Sequence, residues 1–204
     1  MSKAYDRVEW SFLQAMMIKM GFCHEWTQLI MNCVMSVSYR VKVNGDIGKS
    51  FVPSRGLRQG DPLSPYLFLL CIEGFSALLS EAESAGRIKG MQVCQRAPSI
   101  SHLLFADDSQ LLVRANRENV EEVQRILTLY EQVSGQTINK TKSAVLFSAN
   151  TRDADRVKAL VWFWIIDKTL VLTSMLSVCR LNEVGTCQVM EQVMIMVMMV
   201  MTTR

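Results

Sequence analysis

Two adjacent acids, Asp107 and Asp108, offer the plainest chemistry in this sequence. They sit within Ser99 to Arg114, read as Ser-Ile-Ser-His-Leu-Leu-Phe-Ala-Asp-Asp-Ser-Gln-Leu-Leu-Val-Arg. Side-by-side carboxylates repel each other unless a cation is present. Hard divalent cations such as Mg²⁺ take oxygen ligands of this kind. The flanking apolar runs fit short buried strands, which puts the acids at the tight connection of a β-hairpin. Asp is also an ordinary turn residue. The pair alone therefore reads either as a turn or as half of a metal site, and the surroundings must decide.

A second candidate is the loop Arg55-Gly56-Leu57-Arg58-Gln59-Gly60-Asp61-Pro62-Leu63-Ser64-Pro65. Its glycines and prolines mark irregular backbone. Ser64 suits an N-cap and Pro65 the first helical position, ahead of an apolar helix over Leu67 to Leu79. A Gly-rich loop before a helix N-terminus suits an anionic or sugar-phosphate ligand, and equally well serves only to start a helix. Before it, Ser38 to Ser54 alternates as a hairpin around Asn44-Gly45. Arg40, Lys42 and Lys49 lie on one of its faces, where they meet either phosphates or solvent.

These candidates must be held by the rest of the chain. Apolar positions from Val8 to Met20, with Gly21 after them, predict one helix, and Glu25 to Val37 predicts a second. Ile88, Met91 and Val93 suggest a short strand. Asn116 suits the N-cap of a helix to Ser134, ended by Gly135. A polar turn with Asn139, Lys140 and Lys142 follows, then a closing strand over Ala144 to Phe147.

Composition narrows the function classes. The 204 residues carry 20% charged side chains and a net charge of +3, which fits a folded chain and permits a nucleic-acid partner without demanding one. Six cysteines without a Cys-x-x-Cys pair, and two histidines, argue against a zinc site or a disulfide framework. Reduced thiols and a start interrupted by Lys3, Asp6, Arg7 and Glu9 predict an intracellular protein, nuclear or cytoplasmic, with no signal peptide. No transmembrane segment is expected.

Three motifs in order carry a resemblance: Ser2-Lys3-Ala4-Tyr5-Asp6-Arg7-Val8, the loop Gly56 to Pro65, and Phe105-Ala106-Asp107-Asp108. Together they resemble the reverse transcriptase domain of non-LTR (LINE-type) retrotransposons, most like those of plant genomes, from Met1 to about Ala149. The resemblance implies an α+β fold, a right-hand polymerase palm with an antiparallel sheet and packed helices, plus partial fingers. It implies RNA-directed DNA polymerase chemistry by two-metal phosphoryl transfer, with Mg²⁺ as cofactor and RNA template, DNA primer and dNTPs as partners. Asp107 and Asp108 match the metal-binding pair. Tyr5 matches the aromatic under the incoming sugar. Arg58, Gln59 and Gly60 fall in the loop along the nucleotide. Lys142, in an Asn-x-x-Lys motif with Asn139, matches a general acid at the leaving pyrophosphate.

Departures from the family shape further expectations. In the family an aspartate, the third metal ligand, stands immediately before the residue matching Met1, on the strand facing the Asp107 hairpin. The chain as written starts after it, and Asp6 reads as a helix-entry or salt-bridging acid. Little polymerase activity is therefore expected. The alternatives are an inactive relic that at most binds nucleic acid through Arg40, Lys42, Arg58 and Lys142, or a relic with no role. Residues 1–149 are expected to form the polymerase part, and 150–204 an unrelated or frame-shifted, irregular tail. Asp167 and Lys168 interrupt its apolar runs, and Met190 to Met201 is low in complexity. A methionine-rich partner helix is the other reading of that tract. Nothing after about Asp155 is expected to join the sheet.

Overall fold

The computed structural model describes residues 4–92, 94, 96–106, 108–139, 142–148, 151, 154 and, as backbone, 194–200. After a 3-10 turn at Tyr5–Arg7 come helices α1 (Trp10–Lys19) and α2 (His24–Met35), then a two-stranded hairpin of β1 (Lys42–Val43) and β2 (Asp46–Ile47). Next stand the long helix α3 (Ser64–Ser84), strands β3 (His102–Phe105) and β4 (Asp108–Arg114), helix α4 (Arg117–Ser134), and strands β5 (Ala144–Phe147) and β6 (Met194–Val200). Helices and small antiparallel sheets together make an α+β arrangement.

Helix α3 is the spine of the core. Leu67, Phe68, Cys71, Ile72, Phe75, Leu79 and Ala82 recur at three- and four-residue spacing and are buried. That spacing lays one apolar stripe along a helix. Burying each Leu or Phe of such a stripe contributes roughly 1.5–3 kcal/mol. The stripe packs on α1 and α4, with Tyr130 of α4 held between Phe75 (ring centroids 5.0 Å apart) and Phe12 (5.9 Å). Gly74 lets α1 come close: a Cβ there would lie 3.0 Å from the Met16 sulfur. Among the described residues α3 is the one helix long and apolar enough to cross a bilayer. Its stripe is satisfied by the core helices.

Helix ends follow local chemistry. The Asn116 side chain accepts from the Asn119 N–H at 3.0 Å, and Gly135, at φ 73°, ends α4, as the sequence predicts. Ser64 differs from expectation. It is the first residue of α3 rather than its cap, and its side chain makes no cap bond. Asp61 does the work one turn earlier, its Oδ1 accepting from the Leu63 N–H at 2.8 Å and its carbonyl from Ser64 N–H at 3.2 Å. The strand expected near Ile88 to Val93 reduces to a single bridge between Met91 and Ile100, and Val93 lies outside the described residues. The four cysteines among the described residues are free thiols. Burial pushes the Cys71 thiol up to about 12.

The larger sheet has the order β3-β4-β6-β5, antiparallel throughout. This corrects the expectation that nothing after Asp155 joins the sheet. β6 pairs with β4 from Arg114↔Met194 to Asp108↔Val200, and with β5 from Phe147↔Ile195 to Ala144↔Met198. Its sequence, Met-Ile-Met-Val-Met-Met-Val, has no charge, proline or glycine to oppose an extended, doubly paired strand. Low complexity removes sequence information without removing the backbone's capacity to pair.

Candidate active site

The hairpin expected around the paired acids is present. β3 and β4 pair from His102↔Leu111 to Phe105↔Asp108, which leaves a two-residue connection. Ala106, the first of those residues, has φ 51°, the left-handed conformation that tight hairpin turns require. Asp107 lies outside the described residues. Asp108 opens β4 and is exposed, whereas Leu111 and Val113 further along are buried in the core. The acidic end of the hairpin thus faces solvent while its root is anchored. The anchor includes His102, whose ring sits 2.9 Å from Ser76 Oγ of α3 and 3.0 Å from Ser101 Oγ.

Register brings Lys142 toward the same end of the sheet. Asp108 is opposite Val200, and Ala144 is opposite Met198. Lys142 stands two residues before Ala144, in the turn that leads into β5 at that end of the sheet. Its own backbone is held in the turn by the Asn139 carbonyl at 3.1 Å and Asn139 Oδ1 at 3.2 Å. The Lys142 side chain is exposed.

Tyr5, Arg58, Gln59 and Gly60 form a second group, assembled by zipping the first motif to the Gly-rich loop. The Leu57 N–H donates to the Tyr5 carbonyl at 2.7 Å and the Gly56 N–H to the Val8 carbonyl at 2.8 Å. Trp10 Nε1 donates to the Gly56 carbonyl at 2.8 Å, and Arg55 pairs with Glu9 at 3.1 Å. Gly56 has φ 94°, and a Cβ there would lie 2.7 Å from the Asp6 carbonyl oxygen, so the close approach of the two segments needs glycine. Arg58, Gln59 and Gly60 are exposed beyond this zip, and Gly60 has open space around it.

Two contacts in this group had no sequence signal pointing to them. The Tyr5 ring stacks on Phe68 of α3, centroids 4.6 Å apart and planes within 16°. Gln59 Nε2 donates to the Asp6 carboxylate, at 3.3 Å to Oδ1 and 3.5 Å to Oδ2. Asp6, expected as a helix-entry or salt-bridging acid, sits in the 3-10 turn and takes an amide donor from the loop. The turn is fixed from the other side too: Arg7 Nη1 donates to Thr137 Oγ1 at 2.9 Å, and the Glu9 N–H to the Ser134 carbonyl at 2.9 Å. Helix α3 is common to both groups, touching Tyr5 at Phe68 and His102 at Ser76.

Among the described residues no three His, Cys, Asp or Glu side chains converge as a metal cage. The exposed Asp108 carboxylate, next in sequence to Asp107, is nevertheless the hard oxygen chemistry that suits Mg²⁺.

Residues 1–167 match the family described as reverse transcriptase (RNA-dependent DNA polymerase), a stretch that runs past the boundary near 149 expected from the motifs. The chain is 55% identical over 67 residues to an uncharacterized mitochondrial protein of Arabidopsis thaliana, covering 33% of this chain and 55% of that protein. It is 28% identical over 150 residues to the transposon TX1 uncharacterized 149 kDa protein of Xenopus laevis, covering 74% of this chain and 11% of that one. It is 33% identical over 119 residues to the retrovirus-related Pol polyprotein from type-1 retrotransposable element R2 of Nasonia vitripennis, covering 58% of this chain and 11% of that one. The match thus spans about half of the first relative and a tenth of the others. With the family matched over most of its length, the chain belongs to the reverse transcriptase (RNA-dependent DNA polymerase) family.

Proposed function

We propose that this chain carries part of the nucleotidyl-transfer site of an RNA-directed DNA polymerase of a non-LTR retrotransposon. In this reading β3, β4 and β5 with their helices form the palm, and the segment around β1 and β2 belongs to the fingers. Residues 1–149 make up the polymerase part and 150–204 a separate tail, of which β6 returns to the sheet. The observation that carries the proposal is the two-residue hairpin turn, after which Asp108, next in sequence to Asp107, opens an anchored strand at its exposed end.

Asp107 and Asp108 would hold Mg²⁺, and a bound divalent pair supplies charge neutralisation at the triphosphate and activation of the attacking 3′-hydroxyl. The chain's own side chains do the rest. Tyr5, backed by Phe68, is the floor under the sugar of the incoming dNTP. Gln59 and Gly60, steadied by the Gln59–Asp6 contact, lie along the nucleotide, and Arg58 offers a guanidinium to phosphate. Lys142 delivers a proton or positive charge to the leaving pyrophosphate. RNA template and DNA primer are the macromolecular substrates.

A second reading, binding without catalysis, is favoured by one specific fact. The strands paired directly with the Asp108 end of β4 are β3 and β6, and neither contains a carboxylate. Two experiments separate the readings. Mn²⁺ binding followed by electron paramagnetic resonance should weaken at least about tenfold, a loss of roughly 1.4 kcal/mol, in Asp107→Ala and in Asp108→Ala. Unchanged Mn²⁺ affinity in both would sink the metal assignment. Primer extension on an RNA template with Mg²⁺ and dNTPs, abolished by Asp107→Ala, supports the polymerase. Salt-sensitive template binding without extension supports the binding-only form.

A further inference from the structure

The β1–β2 hairpin stands apart from the core. Every residue from 38 to 52 is exposed. Two pairs, Lys42↔Ile47 and Val43↔Asp46, hold the hairpin, with a single bridge between Tyr39 and Phe51 behind them. A two-stranded hairpin with no buried face is marginal in water and opens locally at low free energy. Its connection is Asn44-Gly45, with φ 51° and 96°, the positive pair of a type I′ turn.

An asparagine side chain carries a carbonyl carbon, Cγ, that the backbone nitrogen of the next residue can attack to close a five-membered ring. A side chain on that next residue obstructs the attack, and glycine has none. Seven asparagines occur in the sequence, and Asn44 is the only one followed by glycine. A Cβ on Gly45 would meet nothing within 4 Å, so there is room for the ring. Among the described residues, neither the Asn44 side chain nor the Gly45 N–H has a hydrogen-bond partner. The other described asparagines are engaged. Asn32 Oδ1 accepts from Gln28, Asn116 Oδ1 from the Asn119 N–H and Asn139 Oδ1 from the Lys142 N–H, and Asn119 Nδ2 donates to the Arg114 carbonyl.

We propose that Asn44 is a self-modifying site, which the folded chain converts in water to aspartate and isoaspartate. The Gly45 nitrogen gives its proton to hydroxide and bonds to Asn44 Cγ. The Cγ–Nδ2 bond breaks, and the amide nitrogen leaves as ammonia with a proton from water. Water then opens the succinimide. Breaking the ring bond between the Gly45 nitrogen and Cγ gives aspartate. Breaking the bond to the backbone carbonyl carbon gives isoaspartate, whose main chain runs on through Cγ. Ring closure requires Asn44 to leave its left-handed conformation, which opening of the two-pair hairpin allows. Residues 40–49 carry three cations, Arg40, Lys42 and Lys49, against one anion, Asp46, and the new carboxylate lowers that net +2 to +1. Isoaspartate also lengthens the main chain of the two-residue connection, and turn length sets hairpin register, so the Val43↔Asp46 pairing is lost. The hairpin thus ages from a paired, basic element into a less basic, unpaired one, whether or not the chain polymerises DNA.

The test uses the full chain, incubated at 37 °C in oxygen-18 water at pH 6.0 and at pH 8.0. Trypsin, cutting after Lys42 and Lys49, releases residues 43–49, and liquid chromatography with mass spectrometry separates the asparagine, aspartate and isoaspartate forms. The expected result is conversion of this peptide at least about tenfold faster than at any other asparagine, a modest difference in barrier. It should run faster at pH 8.0, give isoaspartate in excess and carry one oxygen-18 in each product. Gly45→Ala should slow conversion about tenfold, by obstructing the attack. Because alanine also strains the φ 96° turn, this variant is compared with the parent in urea too, where the turn is gone and the obstruction remains. An amide that stays intact in the folded chain while the urea-unfolded chain converts would show that the hairpin protects it, and would overturn the proposal. Folded-state conversion no faster than at the other asparagines would overturn it as well. So would Gly45→Ala reacting as fast as the parent in urea, since the Gly45 nitrogen would then not be the attacking atom.

Discussion

The backbone of Gly56 lies against Asp6 so closely that a Cβ on the glycine would come 2.7 Å from the Asp6 carbonyl oxygen. That contact joins the segment bearing Tyr5 to the loop bearing Arg58, Gln59 and Gly60. Gly56→Ala should therefore both strain the φ 94° backbone, at about 1–2 kcal/mol, and force the two segments apart. A fall in the urea midpoint, together with faster amide exchange at Leu57, is the expected outcome. An unchanged midpoint would show that the zip is not a stabilising contact.

Tyr130 links the core helices through its hydroxyl, which lies 3.2 Å from the Cys71 carbonyl oxygen and 3.1 Å from Gln136 Oε1. Burial holds its phenol far above the ordinary range, so it remains a neutral donor at any working pH. Tyr130→Phe keeps the tilted ring contact with Phe75 and removes the donor. The expected loss is about 1–2 kcal/mol in chemical denaturation, from buried acceptors left short of a partner.

His102 should make stability pH-dependent near neutrality. Burial lowers its pKa below the ordinary 6.5, with Glu83 and Glu73 pulling the other way. Folding thus favours the neutral ring. Its contribution is complete above the unfolded value and is lost as pH falls through 6.5 toward the folded value. The urea midpoint should be higher at pH 7.5 than at pH 5.5, and His102→Gln should shrink the difference. Equal shrinkage from a surface control substitution would argue against this origin.

Glu122 acts in a separate, more acidic window. Hydrogen bonds from Arg125, at 2.8 Å, and from Arg87, at 2.7 Å, hold its carboxyl down at about 2. Its stabilising effect is present above the ordinary 4.5 and disappears as pH falls from there toward 2. Glu122→Gln should flatten that part of an acid-unfolding curve while leaving the His102 step in place. Both arginines are substantially exposed, so high salt should weaken the effect.

Much of this architecture was legible in the order of residues. The Asn116 cap, the Gly135 stop and the apolar stripe of α3 rest on stereochemistry within a few residues, and each is where the local pattern puts it. The β3–β4 hairpin was equally readable, because a polar pair between two apolar runs can turn back in few ways. The family motifs were legible for a different reason: Tyr5, Gln59 and the Asp107–Asp108 pair occur in the order that the family shares.

The tertiary structure decided what depends on partners distant in sequence. Ser64 looked like a cap, but Asp61 fixes the start of α3. Tyr5 required Phe68 beneath it, and Gln59 found Asp6, only because the zip through Gly56 brought two segments together. β6 is the sharpest case. Sequence showed Met194–Val200 as uncharged and repetitive, and no local signal says which edge such a strand will join. That choice belongs to the sheet: β4 and β5 each had an edge to satisfy across a single-strand gap, and backbone hydrogen bonding accepts any extended segment that can reach it.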